Sequence, residues 1–229
     1  MWDPFGTLRQ ALWIGGAQWA GKSTVANQLA HRFGLTAYHH DYHNARGHDD
    51  RRIASAARAG RSATEFDAER FWLSLEPAEM AARELAAFPG AFEWILDDLR
   101  ALVSGLPVLA EGWGLRPELV MSIVDSPDRM IVLVPTEEFR THQTRHLPRA
   151  GALEARVSDP VRAQRNRVAR DRLIAADAVA RAVEHGIRVI EVDGRLNADE
   201  MTDVVAAHFA PYLTAPRMAA VRPPPVSDV

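Results

Sequence analysis

Four residues near the N-terminus have the types and spacing of a phosphate-binding loop. Gly16, Gly21, Lys22 and Ser23 fit the pattern GxxxxGK[ST]. Glycines let the backbone curl so that successive N–H groups point at phosphate, and a following helix N-terminus adds partial positive charge. Lys22 can then reach the β- and γ-phosphates of a nucleoside triphosphate, and the Ser23 hydroxyl can ligate Mg²⁺. The residues expected to bind nucleotide here are Gly16, Ala17, Gln18, Trp19, Ala20, Gly21, Lys22, Ser23 and Thr24.

The lysine of this pattern is the only lysine in the chain. Of 27 basic residues, Lys22 is one and the other 26 are arginine. An ammonium is a compact point charge, whereas a guanidinium is a planar fork. A position that remains lysine in such a chain is therefore a candidate for needing the compact charge, which supports the phosphate assignment.

The loop lies between a predicted strand and a predicted helix, as phosphate binding requires. We predict the strand over residues 11–15 and the helix over Lys22–Phe33, which Gly34 ends. Apolar segments alternate with helices along the rest of the chain, which predicts an α/β fold with a parallel sheet. The other strands are predicted over residues 35–40, 107–110, 130–134 and 187–192.

Helix-start and helix-stop signals mark the remaining helices. Ser62 and Glu65 have capping-box spacing, and helical periodicity over residues 92–103 ends at Gly105. The later helix starts are predicted at Thr136, at Asp159 with Pro160, and at Asn197 with Glu200, and the helix from Asp159 is predicted to end at Gly186.

The composition predicts one soluble, unexported domain. The chain has 229 residues, of which 47% are hydrophobic and 25% charged. No segment approaches the roughly 18 apolar residues of a membrane span, and the N-terminus has no secretory pattern, so we expect a cytoplasmic protein without a membrane partner. Cysteine is absent, which excludes disulfides and thiolate chemistry. The net charge of −3 gives no general attraction to nucleic acid, and the composition predicts no oligomeric state.

The loop and the order of elements resemble the P-loop kinases, the group that includes shikimate, gluconate, adenylate, uridine and chloramphenicol kinases. The resemblance covers residues 11–213 in element order, but only the phosphate loop is a motif match. It implies a three-layer sandwich with a five-stranded parallel sheet in the order 2-3-1-4-5 and helices on both faces. It further implies ATP and Mg²⁺, and transfer of the γ-phosphoryl group to a hydroxyl of a small molecule such as a metabolite, nucleoside, sugar or antibiotic. The fourth strand lacks a terminal Asp and no Asn-Lys-x-Asp motif occurs, which disfavours a GTPase.

The resemblance also divides the chain. It implies one domain over residues 1–213, with a helical substrate-binding insertion over 42–106 and a lid over about 141–158. Residues 214–229 are predicted to be an extended, proline-rich tail.

Asp41 is the predicted catalytic residue. It stands at the predicted end of the second strand, in HHDYH, where several of these kinases carry an acid. A carboxylate there can orient the acceptor hydroxyl and take its proton. The alternative is an Asp that only caps a turn. The neighbouring His39, His40, His43 and His48 also suggest a metal site, although hydrogen bonding to substrate is the favoured hypothesis for them.

Glu111 follows the third strand in AEGWG and is the second acidic candidate. By resemblance it holds Mg²⁺ through water or helps to place substrate, and it becomes the leading base if Asp41 is misplaced. The alternative is an exposed carboxylate at a strand end. Trp113 beside it can stack on a flat substrate or belong to the core.

Nine arginines and three acids lie between Arg140 and Arg172. By resemblance, Arg145 and Arg149 in the lid neutralise the transferring phosphoryl group, with Arg140 in reserve. The alternatives are a solvated helical face or nucleic-acid binding. Asp193, in the turn after the last strand, is placed by resemblance against the adenine.

The acceptor itself has no signature in the sequence. Arginines of the insertion could hold an anionic acceptor and its aromatics could line a ring-binding wall, although packing within the insertion is the usual role of such aromatics. These residues are Arg46, Arg51, Arg52, Tyr42, Phe66, Trp72 and Trp94. Two other functions stay open: a polynucleotide 5′-hydroxyl kinase that uses the arginines, although we do not expect a nucleic-acid partner, and a non-catalytic nucleotide-binding regulator.

Overall fold

Five parallel strands form one sheet in a computed structural model that describes residues 2–62, 66–102, 106–147 and 156–213. The strands are β1 (Leu12–Gly16), β2 (Thr36–His39), β3 (Val108–Glu111), β4 (Met130–Pro135) and β5 (Arg188–Val192). Their order is β2-β3-β1-β4-β5, so the predicted order 2-3-1-4-5 is confirmed. Strand β1 is central, with Ile14 opposite Glu111 on one side and Ile131 on the other.

Helices cover both faces of this sheet. They are α1 (Thr7–Gln10), α2 (Lys22–Phe33), α3 (His40–Asn44), α4 (Gly47–Arg58), α5 (Pro77–Ala101), α6 (Pro117–Val120), α7 (Glu137–His146), α8 (Pro160–Glu184) and α9 (Ala198–Phe209), with a π-helical turn at Arg70–Ser74. Within the described ranges, none of the helices has the length and apolarity that a membrane crossing requires.

The core is divided into two layers because successive strand residues point to opposite faces. Leu12 and Ile14 of β1 pack in the layer that includes residues of α2 and α9. Trp13 packs on the other face, with residues of α5 and α8. Helices on both faces make the fold a three-layer sandwich. Because all five strands are parallel, their carboxyl ends lie at one edge of the sheet, where the phosphate loop leaves β1.

The second strand is shorter than predicted. It ends at His39, and Asp41 lies in the first turn of α3 instead of at a strand end. The reason is the partner strand: His39 pairs with Glu111, the last residue of β3, so residue 40 has no ladder to join. The predicted strand over 35–40 is therefore one residue too long at each end, and Asp41 follows the strand within a helical turn.

Predicted helix starts agree better with the structure. The side chains of Thr136 and Asp159 cap α7 and α8, and Asn197 with Glu200 forms a capping box on α9. The segment over 92–103 belongs to the 25-residue α5, which runs through Pro89, and α8 ends at Glu184, not at Gly186. Glu65 and Gly105 lie outside the described residues, as does the tail 214–229.

Candidate functional site

The phosphate loop connects the central strand β1 to α2 in a conformation that depends on glycine. Gly16 has φ +112°, and a Cβ on it would lie 2.2 Å from the Leu133 carbonyl oxygen. Gly21, the N-cap of α2, has φ +75°. The Ala17 N–H donates to the same Leu133 oxygen at 2.9 Å, which fixes the start of the loop to β4. The loop thus curls over the N-terminus of α2, where backbone N–H groups carry the partial positive charge that an anion site needs.

Lys22 lies inside this curl. Its side chain is buried, and Nζ donates to the Ala17 carbonyl oxygen at 2.7 Å. A buried ammonium needs oxygen partners, and phosphate oxygens would be stronger ones than a carbonyl.

Glu111 and Ser23 meet beside the loop. The Ser23 hydroxyl donates to Glu111 Oε1 at 2.9 Å, and His39 Nδ1 lies 2.8 Å from the same oxygen. Glu111 is 1% exposed, so the alternative of an exposed strand-end carboxylate does not fit. Its second oxygen, Oε2, is buried without a hydrogen-bond partner in the described parts of the chain. The hydrogen bond to Glu111 raises the pKa of His39, against the effect of burial.

Asp41 shares a cavity with the loop. The cavity has a volume of about 600 Å³. It is lined by Gln18, Trp19, Ala20, Gly21, Lys22, Ser23, Thr24, Asp41, Gln143 and Leu147. Desolvation raises the pKa of Asp41, but His40, the charge of Lys22 and the Trp113 backbone N–H together lower it below its ordinary value. The fold therefore brings an ionised carboxylate to the phosphate-binding loop.

Comparisons with known proteins add little beyond this geometry. No family model and no curated protein matches the chain. Among similar solved structures, a shikimate kinase from Aquifex aeolicus vf5 is 15% identical with TM-score 0.37, covering 88% of this chain and 96% of that one. A sugar kinase from Janibacter sp. HTCC2649 is 13% identical with TM-score 0.39, covering 87% and 94%. Likenesses this weak decide nothing about activity, whereas the strand order 2-3-1-4-5 and the loop between β1 and α2 decide the architecture. The chain has a P-loop kinase-like fold.

The histidines near Asp41 do not form a metal site in this P-loop kinase-like fold. In the described residues, no group of three or more metal-ligating side chains is arranged to hold an ion. His40 is buried, with Nδ1 3.6 Å from Asp41 Oδ1, and neither of its ring nitrogens has a hydrogen-bond partner there.

His43 and His48 lie beside Asp98 of α5. His48 Nε2 lies 2.8 Å from Asp98 Oδ2, and His43 Nδ1 lies 3.3 Å from the same oxygen. Asp98 also accepts hydrogen bonds from the Tyr38 hydroxyl at 2.9 Å and from Arg51 at 2.8 Å. This Asp98 cluster, which the sequence did not reveal, connects α4 to α5.

Of the two arginines predicted in the lid, Arg145 is described and lies outside the loop cavity. Gln143 of α7 and Leu147, which follows the helix, line the loop cavity, whereas Arg145 lines a second depression with Glu137 and Arg172. Arg149 lies outside the described residues. Arg140 is buried and paired with Glu137, which also pairs with Arg172.

Several other candidates take part in packing. Trp113 is 8% exposed and packs edge-on against Phe88, which supports its interpretation as a core residue. Arg52 pairs with Asp49 on its own helix. Asp193 accepts a hydrogen bond from the Arg195 backbone N–H, which shapes the turn after β5.

Proposed function

We propose that this chain transfers the γ-phosphoryl group of ATP to a hydroxyl group of a small molecule, with Mg²⁺. The observation that carries the proposal is the position of Asp41 in the same cavity as Lys22 and Ser23. A phosphate loop alone fits any nucleotide-binding protein, whereas a carboxylate facing it fits a hydroxyl acceptor.

Asp41 is the general base in this mechanism. Its lowered pKa keeps the carboxylate ionised at neutral pH. As the acceptor oxygen bonds to the γ-phosphorus, Asp41 takes the hydroxyl proton, and the bridging oxygen leaves with ADP. Lys22 and the N–H groups at the start of α2 hold the phosphates in line for this displacement.

Ser23 and Glu111 fit a magnesium ion. Mg²⁺ prefers hydroxyl, carboxylate and water oxygens, and Glu111 has a buried oxygen without a partner in the described residues. Ser23 would bind the ion directly and Glu111 through water, while His39 and Ser23 orient the carboxylate. When bound, Mg²⁺ neutralises charge on the phosphate oxygens.

The proposal also includes a role for the lid arginines and a contact between the Asp193 turn and the adenine. Gln143 of α7 lines the cavity and Arg145 lies on a different side of the helix, so rotation of α7 is the proposed movement that carries Arg145 to the phosphates, with Arg149 as the second candidate. The turn at Asp193 is proposed to contact the adenine.

The test is a two-stage measurement on the full chain. Binding of Mg-ATP is measured first by calorimetry, and a panel of hydroxyl compounds is then screened for stimulated ADP release with mass detection of the phosphorylated product. Sugars, nucleosides, hydroxy acids and aminoglycosides form the panel, together with an oligonucleotide that carries a 5′-hydroxyl. Lys22→Met is the negative control.

We expect Mg-ATP binding, which Lys22→Met abolishes, and phosphorylation of at least one small hydroxyl compound. Phosphorylation of the oligonucleotide alone would make the chain a polynucleotide kinase instead. Binding without transfer to any member would favour a regulator, and absence of Mg-ATP binding would overturn the proposal.

A further inference from the structure

Trp19, in the middle of the phosphate loop, has a backbone conformation that L-residues avoid. Its φ is +70°, and among the described residues it is the only non-glycine residue with positive φ. In this region the Cβ crowds the following carbonyl oxygen, so a large side chain there persists only when its surroundings hold it. Something outside the loop must therefore stabilise Trp19.

The stabilising contact comes from the middle of α8. Trp19 is 1% exposed, and its indole Nε1 donates to Asp171 Oδ2 at 3.3 Å. The Arg167 guanidinium lies 5.2 Å from the centre of the indole ring. A hydrogen bond from a loop residue to a buried carboxylate on a long helix can fix the position of that loop.

Asp171 is itself held in one orientation. Arg170 donates to Asp171 Oδ1 through Nε at 3.0 Å and through a terminal nitrogen at 2.7 Å, which leaves Oδ2 for Trp19. Arg170 is buried, with its guanidinium 4.8 Å from the Trp72 ring and 5.1 Å from the Trp113 ring. The support of the loop thus extends to the π-helical turn of the insertion and to the segment after Glu111.

We propose that Asp171 is the positioning residue of the phosphate loop and that Trp19 is its attachment point. The Trp19–Asp171 hydrogen bond holds the loop in the curled form that accepts phosphate, and Arg170 orients the carboxylate. The inference rests on the proposed function only in taking ATP as the molecule that the loop binds.

The experiment combines amide hydrogen exchange of loop residues 16–24 in the nucleotide-free protein with calorimetric Kd values for Mg-ATP. Trp19→Phe removes the N–H donor but keeps an aromatic ring and the Arg170–Asp171 pair. Asp171→Asn keeps one acceptor oxygen, for which Arg170 and Trp19 must compete, whereas Asp171→Ala removes both oxygens. Trp13→Phe is the matched control, because Trp13 is also buried but its Nε1 has no partner in the described chain.

We expect loop exchange about tenfold faster and Mg-ATP affinity about tenfold weaker in Trp19→Phe and Asp171→Ala, since a hydrogen bond to a charged group is lost. Asp171→Asn should lose less protection than Asp171→Ala, because one acceptor oxygen remains, and Trp13→Phe should leave loop exchange unchanged.

Unchanged loop exchange in a folded Trp19→Phe protein would overturn the inference, whatever happens to its melting temperature. If Asp171→Ala does not fold, loop exchange in Trp19→Phe alone tests the inference. If the wild-type chain does not bind Mg-ATP, the proposed function fails, while the exchange data still show whether the hydrogen bond holds the loop.

Discussion

Replacement of Asp41 by Asn separates phosphoryl transfer from nucleotide binding. The side chain of Asp41 is 47% exposed and Asn has nearly the same size, so folding stability should change by no more than about 0.5 kcal/mol. Removing the proton acceptor should lower kcat by about 10²- to 10⁴-fold, or roughly 3 to 5 kcal/mol in activation free energy.

The affinity for Mg-ATP should change little in Asp41→Asn, and any change should be an increase, whereas kcat falls. Asp41 lies close enough to Lys22 for that charge to lower its pKa, so its own negative charge also opposes the arrival of phosphates. Because a partly exposed charge pair is worth about 1 kcal/mol or less, the Kd for Mg-ATP should stay within about fivefold and fall if it moves.

The assay is steady-state ADP release with the acceptor found in the screen, paired with calorimetric Mg-ATP binding. Asp49→Asn is the matched control, because Asp49 is a similarly exposed aspartate of the next helix, α4, and lies outside the loop cavity. Full turnover in Asp41→Asn would refute the base assignment. Lost Mg-ATP binding would show that Asp41 supports the nucleotide site instead.

Four further predictions concern the site and its support. An amine-selective acylating reagent should modify one side chain, Lys22, slowly, and Mg-ATP should block the reaction, as read by peptide mass spectrometry. Asp98→Asn should reduce the free energy of unfolding by about 2 kcal/mol, because three hydrogen-bonding partners lose a charged acceptor. Gly114→Ala should destabilise by about 1 to 3 kcal/mol, since its Cβ would lie 2.5 Å from His40 Cε1. In urea unfolding between about pH 7 and 4, the stability that His48 supplies, measured as wild type minus His48→Gln, should fall with acid: burial lowers the pKa of His48, so its contribution is complete above 6.5 and is lost as pH falls through the lowered value. The difference between the two proteins removes the opposite effect of His39, whose pKa is raised.

Neighbouring residues supply the controls. Asp97→Asn changes an exposed carboxylate beside Asp98 and should leave stability nearly unchanged. Gly90→Ala fills open space within α5 and should stabilise the chain. Labelling of Lys22 that Mg-ATP does not slow would contradict the phosphate assignment. A difference between wild type and His48→Gln that is constant from neutral pH down to about pH 4 would contradict the lowered pKa of His48.

Asp98 also contributes to the pH dependence of the free energy of unfolding at acidic pH. Burial opposes ionisation of Asp98, but hydrogen bonds with His48 and Tyr38 outweigh it and lower the pKa of Asp98. A depressed carboxyl pKa stabilises the fold above its ordinary value of 3.8, and this stabilisation is lost as pH falls through the lower folded value. The difference in stability between wild type and Asp98→Asn should therefore shrink at the lowest pH.

Much of the architecture was predictable because its determinants are local. The phosphate loop needs glycines at two positions and one lysine within a few residues, and the caps at Thr136, Asp159 and Asn197 bond to N–H groups two or three residues away. Backbone sterics and short-range hydrogen bonds act through neighbouring residues, so a single sequence is enough to determine them.

The arrangement of the site needed the tertiary structure. Glu111 meets Ser23 across 88 positions of sequence, and Trp19 meets Asp171 across 152, because β3 lies beside β1 and α8 packs against the loop. The helical turn at Asp41 likewise depends on where the partner strand ends. By itself, the sequence determined the conformation-dependent glycines of the loop after β1 and the order of the elements. Only the folded sheet decided which distant side chains stand beside that loop, since side-chain pairing depends on strand order and register, to which residues far apart in the chain contribute together.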